Sequence, residues 1–193
     1  MLTIYGDRIS GNCLKVKYVA DYVGIPYTWV DISVLKAETR THEFLKINPA
    51  GQVPVVRFDD GRSLAQSNAI MRFLAEQSDL IPKDVWGRAK MDEWLFWEQY
   101  SHETSIAVTR FHVVYQGRAL EARDPALVSK GEAALDLMEQ HIVDKDWFVG
   151  RAPSLADVAL YAYTQFADDA GFSLSARPNV RAWLVRVAEA LDL

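Results

Sequence analysis

Three short segments carry residue types from which chemistry could be built. The first is Ser10-Gly11-Asn12-Cys13. Two cysteines at this spacing would form a redox couple, but the leading position is serine, and Cys13 is the only cysteine in the chain. A serine hydroxyl offers one O–H donor and two acceptor lone pairs. Ser10 can therefore cap a following helix, or direct its proton at an anion held near that helix's positive end. The two roles are compatible. The second segment is Gly51-Gln52-Val53-Pro54. X–Pro bonds become cis at low cost, and a cis bond here would turn the Val53 peptide outward toward an extended ligand backbone. The third is Gln66-Ser67-Asn68-Ala69-Ile70, where an amide, a hydroxyl and the first N–H groups of a helix could hold a carboxylate. It reads equally as a polar helix cap. Arg40 and, more loosely, Lys36 add cations in the segment between; the plainer reading of both is an unpaired surface charge.

Secondary-structure signals place these segments at the ends of elements. Leu2–Tyr5 is an apolar run closed by Gly6-Asp7 and reads as a buried strand. A helical stripe through Leu14, Val16, Tyr18, Val19 and Tyr22 stops at Gly24, a favoured residue just past a helix end. Residues 27–32 form a second strand, completing a βαβ unit. A helix over 38–47 ends at Asn48-Pro49, because the residue before proline is pushed out of the α region. A third strand over 53–58 turns at Asp59-Asp60-Gly61 into a fourth over 62–64. A helix over 66–77 follows, with Ile70, Phe73 and Leu74 on one face. This order is that of a thioredoxin-like domain, a mixed four-stranded sheet with helices on both faces; by itself the arrangement fixes no activity.

Residues 78–85, containing Pro82, read as a linker from domain 1–77 to a second domain, 86–193, that is helical almost throughout. Helices are expected over 86–116, 125–142, 155–166 and 179–191. The last carries a stripe at Val180, Trp183, Leu184, Val187 and Leu191. Ser154 with Asp157 forms a capping-box variant, in which serine and carboxylate each satisfy a backbone N–H. Glu98 and His102 read as a solvated i, i+4 pair, and Asp168-Asp169 as a polar helix end.

Composition narrows the function classes. The 193 residues are 50% hydrophobic and 24% charged, which excludes a disordered chain. One cysteine excludes an intrachain disulfide framework and any multi-thiolate metal site. The four histidines form no metal-ligand pattern, so no metal is expected. The net charge is −5; the first 80 residues are neutral, and all of the excess is carried by the rest. That balance argues against nucleic acid as a partner. No basic leader or long apolar run follows Met1, so the expectation is a cytoplasmic protein with no membrane partner.

Together the Ser10-Gly11-Asn12-Cys13 turn, the segment from Glu43 through Asn48-Pro49 to Val53-Pro54, the Gln66-Ser67-Asn68-Ala69-Ile70 segment and Ser154-Leu155-Ala156-Asp157 resemble the cytosolic glutathione transferase family, in a serine-type, bacterial-like form. The resemblance spans the whole chain. It implies that Ser10 hydrogen-bonds the glutathione sulfur, with Asn12 as a second donor. It also implies a binding set of Arg40, Gln52, Val53, Pro54, Gln66 and Ser67. Pro54 would follow a cis bond, Val53 would pair with the cysteinyl backbone, Gln66 and Ser67 would hold the γ-glutamyl carboxylate, and Arg40 would meet the glycine carboxylate. Tyr5 is the rival sulfur donor, but it precedes the turn. The implied reaction is thiolate attack on a small hydrophobic electrophile, walled by Tyr100, Thr104, Val108, Phe111 and Tyr115; core packing is the competing reading of those five. The family also implies a homodimer. Two other readings stay open: a glutathione-dependent disulfide reductase or peroxidase, using the substrate's own thiol or a mixed disulfide on Cys13, and a non-catalytic interaction protein.

Overall fold

The structure is a computed structural model that describes residues 2–193. It divides into two compact units, the first ending at Ser78 and the second running from Asp79 to Leu193.

The first unit contains β1 (Leu2–Gly6), α1 (Gly11–Val23), β2 (Tyr27–Asp31), a 3-10 turn (Glu38–Arg40), α2 (His42–Ile47), β3 (Val55–Phe58), β4 (Ser63–Ala65) and α3 (Ser67–Leu74). The sheet order is β2-β1-β3-β4. β1 and β2 are parallel, which requires a crossover, and α1 supplies it. β3 runs antiparallel to β1 and to β4. Leu2, Ile4 and Gly6 are buried on the face of β1 beneath α1. A Cβ at Gly6 would lie 2.8 Å from the Trp29 ring and 3.2 Å from Cys13 Cβ, so glycine is what lets α1 close onto the sheet. Tyr5 points to the other face and meets Phe44 of α2 edge-on, with ring centroids 6.4 Å apart. α3 packs beside α1.

Several boundaries differ from the sequence expectation. The helix expected over 38–47 breaks at Thr41, whose extended backbone (ψ 149°) ends the 3-10 turn and whose hydroxyl accepts the Phe44 N–H at 3.3 Å. β3 begins at Val55 rather than Val53, because Pro54 has no N–H for a ladder. α3 buries Ser67, Ile70, Met71 and Leu74, an i, i+3, i+4, i+7 set. That set leaves Phe73 on the flank, 53% exposed, with its ring against Phe58 at 5.3 Å.

The second unit is helical: α4 (Val85–Trp97), a continuation through wide π turns at Glu98–Ala107, α5 (Val108–Arg110), π turns at Phe111–Tyr115, then α6 (Pro125–His141), α7 (Leu155–Thr164) and α8 (Pro178–Ala190). Asp84 and Asp124 cap α4 and α6 by accepting the N–H groups of Gly87 and Ala126, each at 2.8 Å. All ten residues of α7 are buried. Its first turn is held by Asp157, whose Oδ2 accepts the Ser154 N–H and hydroxyl, both at 2.9 Å. Oδ1 accepts the Phe148 N–H and the Trp183 indole N–H, both at 3.0 Å. Burial pushes this carboxyl above its ordinary pKa while the donors pull it back. Arg177, just before α8, ties the helix to α6 through Asp136 and Glu132.

Glu98 and His102 correct the expectation of a solvated pair: both are fully buried. His102 Nε2 lies 2.9 Å from the Thr164 hydroxyl, which itself donates to the Leu160 carbonyl at 2.7 Å. That leaves the imidazole Nε2–H as the donor to Thr164. The wide turns around these residues coincide with Thr104, Ser105 and Thr109, whose hydroxyls bond back to the carbonyls of Tyr100, Ser101 and Ser105 at 2.7–2.9 Å. Such bonds compete with the helix ladder and bend it. Asp169 is more than a polar helix end, because it pairs with the buried Arg110 at 3.2 Å. Among the described residues, no helix is long and apolar enough to cross a membrane.

Candidate functional site

Strand register brings the three chemistry-bearing segments to one end of the sheet. Val55, the first residue of β3, faces both Tyr5 near the end of β1 and Ala65 at the end of β4. The turn leaving β1, the segment entering β3 and the turn entering α3 therefore meet there.

In the first turn, Ser10 occupies the N-cap position of α1 with extended backbone, and its C=O accepts the N–H groups of Cys13 and Leu14 at 3.0 and 2.9 Å. Its side chain makes no capping bond. The hydroxyl lies instead within hydrogen-bonding reach of the Cys13 thiol. Cys13 itself is fully buried, its sulfur accepting the Asp7 N–H at 3.3 Å, and burial pushes the thiol up to about 11. Asn12 Oδ1 accepts from the Lys15 ammonium at 2.8 Å and from the Ser67 hydroxyl at 3.1 Å. The second bond joins the first turns of α1 and α3. Ser67 is buried, whereas Gln66 before it is exposed and holds φ +71°. A non-glycine residue held there costs of order 1 kcal/mol or more and marks a constrained turn.

The segment entering β3 is braced from within the first unit. Asn48 Nδ2 donates to the Gln52 carbonyl at 2.7 Å and its Oδ1 accepts the Ala50 N–H at 3.2 Å. The Val53–Pro54 bond is cis. Gly51 has φ +62° and lies beneath the Arg40 guanidinium, where any Cβ would collide. Arg40 Nη1 donates to the Ala50 carbonyl at 3.3 Å, so this cation is aimed at the segment before Val53. Lys36 is exposed in the preceding loop.

Sequence reasoning missed two contributors. Asn48 registered only as a helix stop before proline, and Lys15 registered not at all, though its side chain is fully buried. Of the five residues expected to wall an electrophile site, Tyr100 and Thr104 are exposed and Val108, Phe111 and Tyr115 half-buried; none belongs to the core. The second unit holds its own cleft of about 510 Å³, lined mainly by Trp94, Trp97, Leu137 and His141. Burial lowers the His141 pKa. Among the described residues, no group of three or more His, Cys, Asp or Glu could hold a metal ion.

A thioredoxin-like domain followed by a helical one, with a serine-led turn before α1, defines a class that comparison with known proteins makes specific. Residues 9–77 match the family "Glutathione S-transferase, N-terminal domain" and residues 121–186 match "Glutathione S-transferase, C-terminal domain". The chain is 30% identical to glutathione S-transferase theta-1 of Rattus norvegicus, over 99% of this chain and 84% of that protein. Crystal structures of glutathione S-transferases from Xanthobacter autotrophicus and Pseudomonas fluorescens superpose with a TM-score of 0.93 each, at 44% and 43% identity. Each alignment covers 97% of this chain, and 93% and 94% of the respective relatives. The chain belongs to the glutathione S-transferase family.

Proposed function

We propose that the protein is a glutathione transferase that binds the tripeptide at this end of the sheet and activates its thiol through Ser10. The observation that carries this reading is that Ser10 stands at the N-cap of α1 without using its side chain as a cap. Its proton, directed here at the Cys13 sulfur, a weak acceptor, can turn to a thiolate at the helix end, a stronger one. A free thiol has a pKa of about 8.5, and lowering it by about two units requires about 2.7 kcal/mol of preference for the anion. One hydrogen bond to a charged acceptor contributes about 1.5–3 kcal/mol, and the helix terminus up to about 1. Those magnitudes suffice. Asn12 supplies a second donor. Val53 lends its backbone to the cysteinyl unit, with Gln52 and Pro54 shaping the approach. Gln66 and the N–H groups that open α3 take the γ-glutamyl carboxylate, beside Ser67, and Arg40 takes the glycine carboxylate. The thiolate then attacks a small hydrophobic electrophile.

Two observations weigh against a mixed disulfide on Cys13 and against a non-catalytic protein. A redox role for Cys13 is disfavoured by its burial and by a thiol held protonated up to about pH 11. A purely structural role leaves the constrained backbone of Gln66 without a purpose. A homodimer is supported by large apolar side chains in solvent on α4 and the turns after it: Trp86 is 75% exposed, Phe96 77% and Tyr100 85%. The test of the site is the ultraviolet thiolate absorbance of bound glutathione against pH. Ser10→Ala is expected to raise the bound thiol's pKa by roughly one to two, as the hydrogen-bond energies above imply. An unchanged titration would remove Ser10 from the mechanism.

A further inference from the structure

Asn48 is a buried amide, 6% exposed, with no part in the thiol chemistry. Its N–H donates to the Phe44 carbonyl at the end of α2, and its own carbonyl accepts the Gly51 N–H, both at 2.9 Å. The side chain adds two bonds. Oδ1 accepts the Ala50 N–H at 3.2 Å, and Nδ2 donates to the Gln52 carbonyl at 2.7 Å. One partner is a backbone donor and the other a backbone acceptor, so a single orientation of the amide satisfies both. The first bond closes an Asx turn, for which an aspartate would serve as well. Only the second needs asparagine's donor.

The Gln52 carbonyl and the Val53 N–H belong to one peptide group. That group is trans and planar, so its C=O and N–H point in opposite directions. Holding the carbonyl against buried Asn48 therefore fixes the Val53 N–H on the side away from Asn48. Val53 precedes β3, which begins at Val55, and no acceptor takes its N–H among the described residues.

We propose that Asn48 is a positioning residue for glutathione binding: by holding the Gln52 carbonyl, it aims the Val53 N–H at the carbonyl of the cysteinyl unit. The proposal rests on the reading above, in which Val53 lends its backbone to that unit. Asn48 acts in two ways. It holds the Gln52–Val53 peptide in place, so less order has to be imposed when the tripeptide arrives. It also polarises that peptide, since a carbonyl that accepts a hydrogen bond makes the N–H of the same group a stronger donor. Neither effect reaches the thiol, so the role lies in affinity and not in the chemical step.

The test is glutathione binding by calorimetry at about pH 8, where carboxylates are ionised, for Asn48→Ala and Asn48→Asp. Steady-state kinetics with a chloronitrobenzene and Tm accompany it. N48D keeps an oxygen for the Ala50 N–H and puts a second oxygen, which repels the Gln52 carbonyl, in place of the donor; N48A loses both bonds. N48A is expected to weaken glutathione binding about fivefold, the worth of one neutral hydrogen bond, and N48D at least as much. KM for glutathione should rise by the same factor while kcat at saturation stays at the parent value. Parent-like affinity in either variant overturns the proposal. So does a fall in kcat equal to the fall in affinity, which would mark a general distortion. A second measurement needs no variant: exchange of the Val53 amide proton in the parent protein, followed by NMR. That proton is expected to exchange readily without glutathione and about tenfold or more slowly when glutathione saturates the site. Unchanged exchange overturns the proposal whether or not the variants fold. A parent protein that binds no glutathione overturns the glutathione reading itself, and this proposal with it; a parent that binds, with N48D binding equally well, overturns this proposal alone.

Discussion

At Cys13, burial lifts the thiol to about 11, while three residues earlier the Ser10 hydroxyl caps no backbone N–H of the helix. Alkylating reagents at neutral pH are therefore expected to label Cys13 only as fast as the protein unfolds, a rate that urea should increase. The raised pKa also has a thermodynamic sign. The native state holds this proton up to about pH 11, while an unperturbed thiol gives it up near pH 9. Stability is thus unaffected below pH 9 and falls as pH rises from 9 to 11, by up to about 2.7 kcal/mol over that interval. Urea midpoints measured across that range should drift downward, and Cys13→Ala should abolish that part of the drift. At Gln66, φ +71° sets conformation against chemistry. Gln66→Gly is expected to leave stability unchanged or raise it by up to about 1 kcal/mol, since glycine adopts that region freely. It should also weaken glutathione affinity about tenfold through loss of one amide hydrogen bond. Calorimetry and a binding titration on one sample would separate the two effects. The positions of Ser10, Gln66 and Ser67 are legible from sequence because each stands where a strand gives way to a helix. The burial of Lys15 was not legible: Lys17, two residues on, sits nearer the surface paired with Asp21, and nothing in the local pattern tells the two lysines apart.

Elements whose ends are defined locally read well. Gly24 ends α1 in the left-handed region at φ 72°, and Asp59-Asp60-Gly61 turns β3 into β4. Features set by distant neighbours do not. The burial of His102 against Thr164 depends on α7 arriving there, and nothing in the local pattern announces it. The displacement of Phe73 by Met71 depends likewise on where α1 and the sheet lie. Asp157 shows both kinds of information in one residue: its link to Ser154 is a local motif, whereas its bonds to Phe148 and Trp183 tie a loop and α8 to the start of α7. Asp157→Ala would orphan four buried donors and is expected to destabilise the helical unit by about 3 kcal/mol or more. Equilibrium urea unfolding followed by far-ultraviolet circular dichroism checks it.

Over the whole molecule, charge and apolar surface are distributed unequally. Residues 1–80 are neutral and the rest carry the entire −5. The helical unit also displays Phe96 and Tyr100, one turn apart and largely in solvent. If these form part of a homodimer contact, Phe96→Asp is expected to shift sedimentation equilibrium from dimer to monomer, since burying an unpaired carboxylate costs several kcal/mol. A dimer that survives the substitution would place the contact elsewhere. Tryptophan is distributed unequally too. Five of the six lie in the helical unit, and Trp29 is alone in the first, its ring against Gly6 with the Arg8 guanidinium 5.5 Å from its centre. The protein is thereby labelled by its own fluorophores. With the other five replaced by phenylalanine, Trp29 emission would follow the first unit alone, and the difference from the parent spectrum would follow the helices. A single chain could then report whether its two halves melt together or in turn.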